Sequence, residues 1–553
     1  MNKQIRKYYK IIPLGLISAV LLCGFSLDSS AGTHLGLADA VKSRIQQLKE
    51  EKEKKDEENL GITTSNENNQ APVISALTAK SMRISVSTKT TITCSATDPD
   101  DDRLTYSWSA ASGTIAGAGT QITWTAPAIS GSYLIYCTVA DGQGGSAQKS
   151  VKITVTPIGW TRQIGTNSID EGVGVATDKE GNIYITGFTN ANLDGNTNQG
   201  SADIFLTKYD TAGTRIWTRQ LGTSGSDQGW GVGTDSAGNI YVTGCTFGNL
   251  DGNTNQGSGD IFLIKYDTSG TRIWTKQLGT TVDDAGLGVA VDPADNIYVT
   301  GYTFGNLDGN INQGWYDIFL IKYDTSGTKH WTRQLGTNAI DEGLGVATDL
   351  AGNIYVTGFT DGNLNGNTNQ GSADIFLTKY NTTGARIWTR QLGTSGSDQA
   401  WGVATDPTGN IYVTGYTFGD LDYNTNQGSG DTFLTKYDTG GTKLWTKQLG
   451  TRIDDAGLGV ATDLSGNIYV TGMTLGSLDD NTNQGGNDIF LSMYDASGIK
   501  LWTKQLGTSV DDAGLGVATD AAGSVYVTGW TNGNLSGNTN QGGYDIVLIK
   551  IVP

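Results

Sequence analysis

Residues 160–216 read WTRQIGTNSIDEGVGVATDKEGNIYITGFTNANLDGNTNQGSADIFLTKYDTAGTRI, and at Trp217 the same line begins again. The string W-T-[RK]-Q-[IL]-G-T starts at Trp160, Trp217, Trp274, Trp331, Trp388, Trp445 and Trp502, always 57 residues apart. A fixed period of this length, without insertion or deletion, marks an array of like supersecondary units. Each unit predicts four strands: G-V-A-T-D, N-I-Y-V-T-G-x-T, D-I-F-L-T-K-Y-D and the W-T-R-Q-L-G run. The first two are joined by the tight turn Asp178–Asn182 and the last two by D-T-x-G-T, both hairpin signals. Ile, Val, Tyr, Phe and Trp on both faces of these strands suit sheets held between neighbouring sheets.

The ends of the array choose between an open stack and a ring. Trp160 to Gly165 is a fourth-type strand with no partners before it, and the last unit stops after DIVLIKIVP without a fourth strand. Joining the two completes a seventh blade and removes the exposed sheet edges of an open array. The expected fold is therefore all-β: a seven-bladed β-propeller over residues 158–553, four strands per blade, with the last blade closed by the strand at Trp160. A longer period overlies the short one. TNSIDEG returns as TNAIDEG and TSGSDQGWG as TSGSDQAWG, each 171 residues on, so blades one to three look like a copy of blades four to six. Recent duplication explains such sameness without any functional selection.

Composition agrees with many short strands and bounds the partners. The 553 residues include 78 Gly and carry a formal charge of −18. Nucleic acid is excluded as an expected partner, because phosphate binding needs a basic surface. Residues 1–31 read as a signal peptide, with Lys3, Arg6, Lys7 and Lys10 before the apolar run Ile11–Phe25 and Ser29-Ser30-Ala31 after it. That run is shorter than the ~20 residues of a membrane span. Leu22 before Cys23 argues against a lipid-acceptor motif. Export to the extracellular space, cell surface or envelope is expected, with membrane contact only if the N-terminal segment is retained or lipidated. Residues 32–71 read as a charged helical stalk and linker.

Residues 72–156 predict a separate small β-sandwich, with strands at Ile92–Ser95, Leu104–Trp108, Ile122–Trp124, Tyr133–Val139 and Val151–Val155. The string SATDPDDDRLTYSWSA…ITWTAP…GSYLIYCTVADGQGG resembles bacterial polycystic-kidney-disease-type and related immunoglobulin-like modules. In that family such modules are spacers or adhesive units. Cys94 and Cys137 suit an intersheet disulfide after export, with Trp108 packed beside it. Asp98, Asp100, Asp102 and Asp141 either gather around a Ca²⁺ ion or shape two turns. The propeller units, with the signature D-x-x-G-N-x-Y-V-T-G-x-T, resemble bacterial seven-bladed β-propeller repeats of the SBBP type. The resemblance implies an extracellular or envelope protein and no single activity.

Two sets of residues offer chemistry. Every unit carries a loop L-[DNS]-x-N-x-N-Q-G-x-x-D between its second and third strands, whose alternating oxygen side chains resemble loops that wrap Ca²⁺. The candidate metal ligands are Asp194, Asn196, Asn198 and Asp203; Asp251, Asn253, Asn255 and Asp260; Asp308, Asn310, Asn312 and Asp317; Asp422, Asn424, Asn426 and Asp431; and Asp479, Asn481, Asn483 and Asp488. Asn365 and Ser536 take the first place in blades four and seven and weaken those loops. Asx-turns that satisfy their own backbone are the alternative. The connection between blades supplies Asp170, Asp227, Asp284, Asp341, Asp398, Asp455 and Asp512. On a propeller both sets emerge on one face, where this crowd of carboxylates is expected to contact ligand.

An enzyme is not expected. His34 and His330 are the only histidines, Cys245 reads as a buried hydrophobe, and no blade clearly departs from its siblings. The expected function is an extracellular or cell-surface binding or adhesion scaffold for a glycan or protein, possible Ca²⁺ dependence included. The alternatives are a carbohydrate-active hydrolase or lyase using Asp pairs on that face, or a purely structural envelope protein.

Overall fold

A computed structural model describes residues 69–85, 89–127, 129, 131–156, 159–479 and 481–553. The signal-peptide reading (1–31) and nearly all of the stalk (32–71) lie outside the described residues.

The N-terminal unit is a sandwich of two four-stranded sheets. One holds Val73–Ala79, Lys89–Thr97, Gln121–Thr125 and Thr114–Ala116, and the other Arg83–Ser85, Ser146–Thr156, Gly131–Ala140 and Thr105–Ala110. Alternate residues of both sheets meet in a core of Ile92, Ile122, Trp124, Ile135 and Ile153. Cys94 and Cys137 come from opposite sheets and share a second cluster, against which Trp108 packs. The expected disulfide is not formed: both cysteines are free, buried thiols. Burial and the neighbouring Cys94 push the Cys137 thiol up.

Seven four-stranded sheets follow, as the repeat requires. Blade one is Asp170–Thr177, Ile183–Thr189, Asp203–Tyr209 and Arg215–Leu221, in that spatial order, every neighbour antiparallel. Blade seven is Asp512–Thr519, Val525–Thr531 and Asp545–Ile551, completed by Gly159–Ile164 from the start of the array. The inner strand of each blade packs against the inner and second strands of the preceding blade, and that of blade one against those of blade seven, so the ring is continuous.

Repeated polar bonds explain why the repeat keeps its residues. In blade one the buried Tyr184 hydroxyl donates to Asp178 Oδ2 at 2.9 Å, locking the turn between the first two strands. Thr186 donates to the Phe205 carbonyl at 2.7 Å from the middle of the sheet. The outer strand grips the next blade: Arg219 Nε donates to Gly270 O at 2.9 Å while the Trp217 ring lies over that turn. Gly270 has φ +78, and a Cβ there would come within 2.8 Å of the indole, so the turn demands glycine twice over. The axial channel is lined by Gly174, Val175 and their counterparts, a constriction of about 180 Å³ without a charged side chain.

Candidate functional site

Inner strands begin, and second strands end, on one face of the ring, which also carries the loop to the third strand and the connection between blades. This loop face holds the residues singled out in the sequence, but not in the exposed arrangement expected of them.

Asp170, Asp227, Asp284, Asp341, Asp398, Asp455 and Asp512 are buried, at most 1% exposed. Asp170 Oδ2 accepts the Thr166 amide at 2.6 Å and the Thr166 hydroxyl at 2.7 Å, and Oδ1 accepts the Thr189 hydroxyl. The carboxylate thus ties the incoming connection to the end of the second strand. Asp203 and its counterparts Asp260, Asp317, Asp374, Asp431, Asp488 and Asp545 are fully buried. Asp203 Oδ2 accepts the Gln199 amide at 2.9 Å and Gln220 Nε2 at 3.1 Å, while Oδ1 has no partner. Burial pushes this carboxyl up in every blade. The picture of one solvent-facing acidic surface is therefore corrected. Fourteen of the repeat-locked aspartates are internal braces, held by Thr, Gln and backbone donors once neighbouring blades close over them.

The loops themselves fold back along the outer strand. Asp194 takes a left-handed conformation (φ 54) and pairs with Arg215 at 2.5 Å. Asp251 pairs with Arg272, Asp308 with Lys329, Asp422 with Lys443 and Asp479 with Lys500. Asn196, Asn253, Asn310, Asn424 and Asn481 each donate to the carbonyl of the loop leucine three residues before. The side-chain amides of Asn198, Asn255, Asn312, Asn426 and Asn483 donate to further backbone carbonyls of the same loop. The geometry is that of Asx turns. In the sandwich, Asp98, Asp100, Asp102 and Asp141 do adjoin one another: burial and the other three carboxylates raise Asp102. Asp98 Oδ1 accepts the Asp100 amide, and Asp141 accepts Asn69, Gln143 and Gly145. Among the described residues, no three Asp, Glu, His or Cys side chains form a ready-made metal cage.

What varies around the ring lies beside these braces. The residue before the last of the second strand is Phe188, Cys245, Tyr302, Phe359, Tyr416, Met473 and Trp530 in blades one to seven, and the facing inner-strand residue is Glu171, Gln228, Ala285, Glu342, Gln399, Ala456 and Ala513. A bulge in each inner strand puts Trp230 and Trp401 among leucines and a valine of the sibling blades near the channel. Blade three departs furthest from its siblings, contrary to the expected sameness. Its loop reads GNINQGWYD where blade one has GNTNQGSAD. Tyr316 lies 4.8 Å from Tyr302 and 3.8 Å from Phe304, ring centre to centre, and Trp315 is 65% exposed. Beside them Glu342, half-buried, is pushed up to about 7 by burial and by Asp361, and burial does the same to Glu171. Cys245 fits its expected role, since burial raises its thiol to about 11. Sequence reading passed over Glu171, Glu342, Tyr302, Phe304 and Tyr316. The available signal was their departure from the repeat.

The matching family models agree with this architecture. Residues 69–154 match the bacterial Ig domain family, and residues 159–194, 216–251, 273–308, 330–365, 387–422, 444–479 and 501–536 each match the beta-propeller repeat family. An uncharacterized WD repeat-containing protein of Acanthamoeba polyphaga mimivirus is 25% identical over 501 residues, covering 68% of this chain and 36% of that protein. Regulatory protein FlaEY of Caulobacter vibrioides is 25% identical over 286 residues, covering 45% of this chain and 30% of that one. The chain thus spans about a third of the length of the curated relatives it matches. An auxiliary nutrient binding protein from Bacteroides ovatus is similar in structure, with 10% identity, a TM-score of 0.34, and coverage of 87% of this chain and 98% of that one. Seven matched repeats closed into a ring behind one matched Ig domain place this chain in the beta-propeller repeat (SBBP) family, with a bacterial Ig domain at its N-terminal side.

Proposed function

We propose that this protein is a non-enzymatic binding or adhesion protein of the cell surface or extracellular space, and that it meets its glycan or protein ligand through the loop face. One observation carries this reading. The aspartate braces are the same in all seven blades, whereas the partly exposed side chains beside them change from blade to blade and are rich in aromatic rings. Rings of this kind supply most of the energy of typical binding surfaces at little entropic cost. The loop and connection carboxylates, being paired or buried, contribute shape more than charge. Calcium dependence rests on the sandwich, where Asp102 feels three neighbouring carboxylates.

The test is full-length protein on glycan and protein arrays, with Tyr416→Ala and Trp401→Ala on the loop face and Leu464→Ala on the opposite turns. Loss of a specific signal in the first two variants alone supports the reading; equal loss in the third, or no specific signal from the wild type, ends it. One observation favours the hydrolase alternative: Glu342, held near 7, has the carboxylate of Asp361 close by. Release of reducing sugar from a polysaccharide, abolished in Glu342→Gln, would decide for it.

A further inference from the structure

We infer that the junction between blades three and four binds an organic ammonium group, with the rings of Tyr302, Phe304 and Tyr316 as its apolar wall and the Glu342 carboxylate as its counter-charge. The inference rests on the loop face being the ligand face and names the chemistry recognised there.

Three features of the junction point the same way. The rings form one contiguous group, Tyr316 sitting 4.8 Å from Tyr302 and 3.8 Å from Phe304, and all three are partly exposed. Glu342 comes from the inner strand of blade four, which packs on the second and third strands of blade three; Tyr302 lies on the former and Tyr316 immediately precedes the latter. Its carboxylate takes part in none of the ion pairs or side-chain hydrogen bonds of the described residues. Finally, neighbouring carboxylates make the local field negative. Burial comes first in raising Tyr302 and Tyr316, and Glu342 and Asp283 add to it; Asp361 acts in the same sense on Glu342.

Aromatic faces attract cations through their quadrupole, more strongly where water is excluded, and a carboxylate alongside adds direct charge complementarity. A hard inorganic cation needs several oxygen ligands, which one free carboxylate among rings does not supply. A neutral ligand would leave the field uncompensated. The junction of blades seven and one is a lesser version of the same design. Glu171 takes the place of Glu342, and Trp530 and Tyr544 stack at 4.3 Å in the places of Tyr302 and Tyr316. Asn532 and Asn190 replace Phe304 and Asp361 there, so ring and charge are both fewer.

The experiment is calorimetric titration of the full chain with choline, with a lysine-bearing peptide, and with 3,3-dimethylbutanol as the neutral isostere of choline. Expected are saturable binding of at least one ammonium probe, no binding of the isostere, and a loss of tenfold or more in Glu342→Gln and Tyr316→Ala. Affinity should fall as pH drops from about 8 to about 6, where Glu342 takes up a proton. The stronger of the two ammonium probes tells whether the group belongs to a small molecule or to a protein partner. Unchanged circular dichroism and melting keep the variants interpretable, and Tyr302→Phe, which retains the ring, should keep most of the affinity. Binding of choline and isostere alike, no binding of either ammonium probe, or full affinity in Glu342→Gln would overturn the inference. A specific array signal surviving alongside such a failure would leave the loop face as a binding surface and remove only the ammonium.

Discussion

Gln163 Nε2 donates to Asp545 Oδ2 at 3.0 Å across 382 residues of sequence, while Gln163 Oε1 accepts the amide of Leu535 at 3.1 Å. The same pair recurs inside every other blade, as Gln220 with Asp203 in blade one. Only in blade seven does it join the two ends of the array. Gln163→Ala should therefore cost about 1–3 kcal/mol, the desolvation of a buried acceptor and donor left unmade. Removing residues 159–164 should do more, since Asp545–Ile551 becomes an open edge that recruits other chains. Urea melts and size-exclusion chromatography check both; a stable, monomeric deletion variant would sink the closure account.

Gly270 and Gly252 share a φ of +78 but differ in surroundings. A Cβ at Gly252 meets nothing within 4 Å, whereas at Gly270 it meets the Trp217 ring at 2.8 Å. Gly252→Ala should cost about 1 kcal/mol, from the left-handed backbone alone. Gly270→Ala adds a displaced indole and a weakened Arg219 bond, and should cost about 3 kcal/mol in thermal or urea unfolding. Equal costs would mean that the Trp clamp has no grip on its neighbour.

Glu171 and Glu342 carry folded-state values of about 7, above the ordinary range of a glutamate. The folded chain thus binds more protons than the unfolded one between about pH 4 and pH 7, and stability falls as pH rises through that window. The melting temperature should accordingly increase from pH 7.5 to pH 5. Replacing both residues by Gln should flatten the slope and stabilise the protein at pH 7.5 by about 1 kcal/mol each, after allowance for partial exposure. A slope unchanged in the double variant would place the proton uptake elsewhere, in the buried aspartates.

Asp194 already has Arg215 as its cation, at 2.5 Å. Asp194→Asn should change stability by less than about 1 kcal/mol and leave any response to Ca²⁺ intact. Asp102, by contrast, sits among Asp98, Asp100 and Asp141. Calcium should raise the melting temperature of the full chain, and Asp102→Asn should remove that rise. Calcium sensitivity lost in Asp194→Asn and retained in Asp102→Asn would return the ion to the propeller loops.

The ring was legible because its grammar is local. Turn residues such as Asp178 and Gly181, β-branched runs such as Ile183–Thr186, and the unpaired strand at Trp160 all speak within a few positions of the chain. The sandwich strands at Ile92, Trp108, Ile122, Tyr133 and Val151 were legible for the same reason, while Arg83–Ser85 and Thr114–Ala116, three residues each, are too short to show a period. Asp170 and Asp203 were misread because a carboxylate looks alike in sequence whether it faces water or a ring of donors. The partners that settle the matter, Thr189 and Gln220, stand 19 and 17 residues away.

The sequence by itself determined the number of blades, their strand order and the way the ring closes, since a period of 57 residues and two incomplete ends admit one consistent pairing. Only the tertiary structure decided which side chains are left to meet a ligand. Burial is a property of neighbouring blades: it turns the repeated aspartates into braces, pairs the loop carboxylates with Arg and Lys, and leaves Glu342 beside Tyr302 and Tyr316 with no ion-pair partner among the described residues.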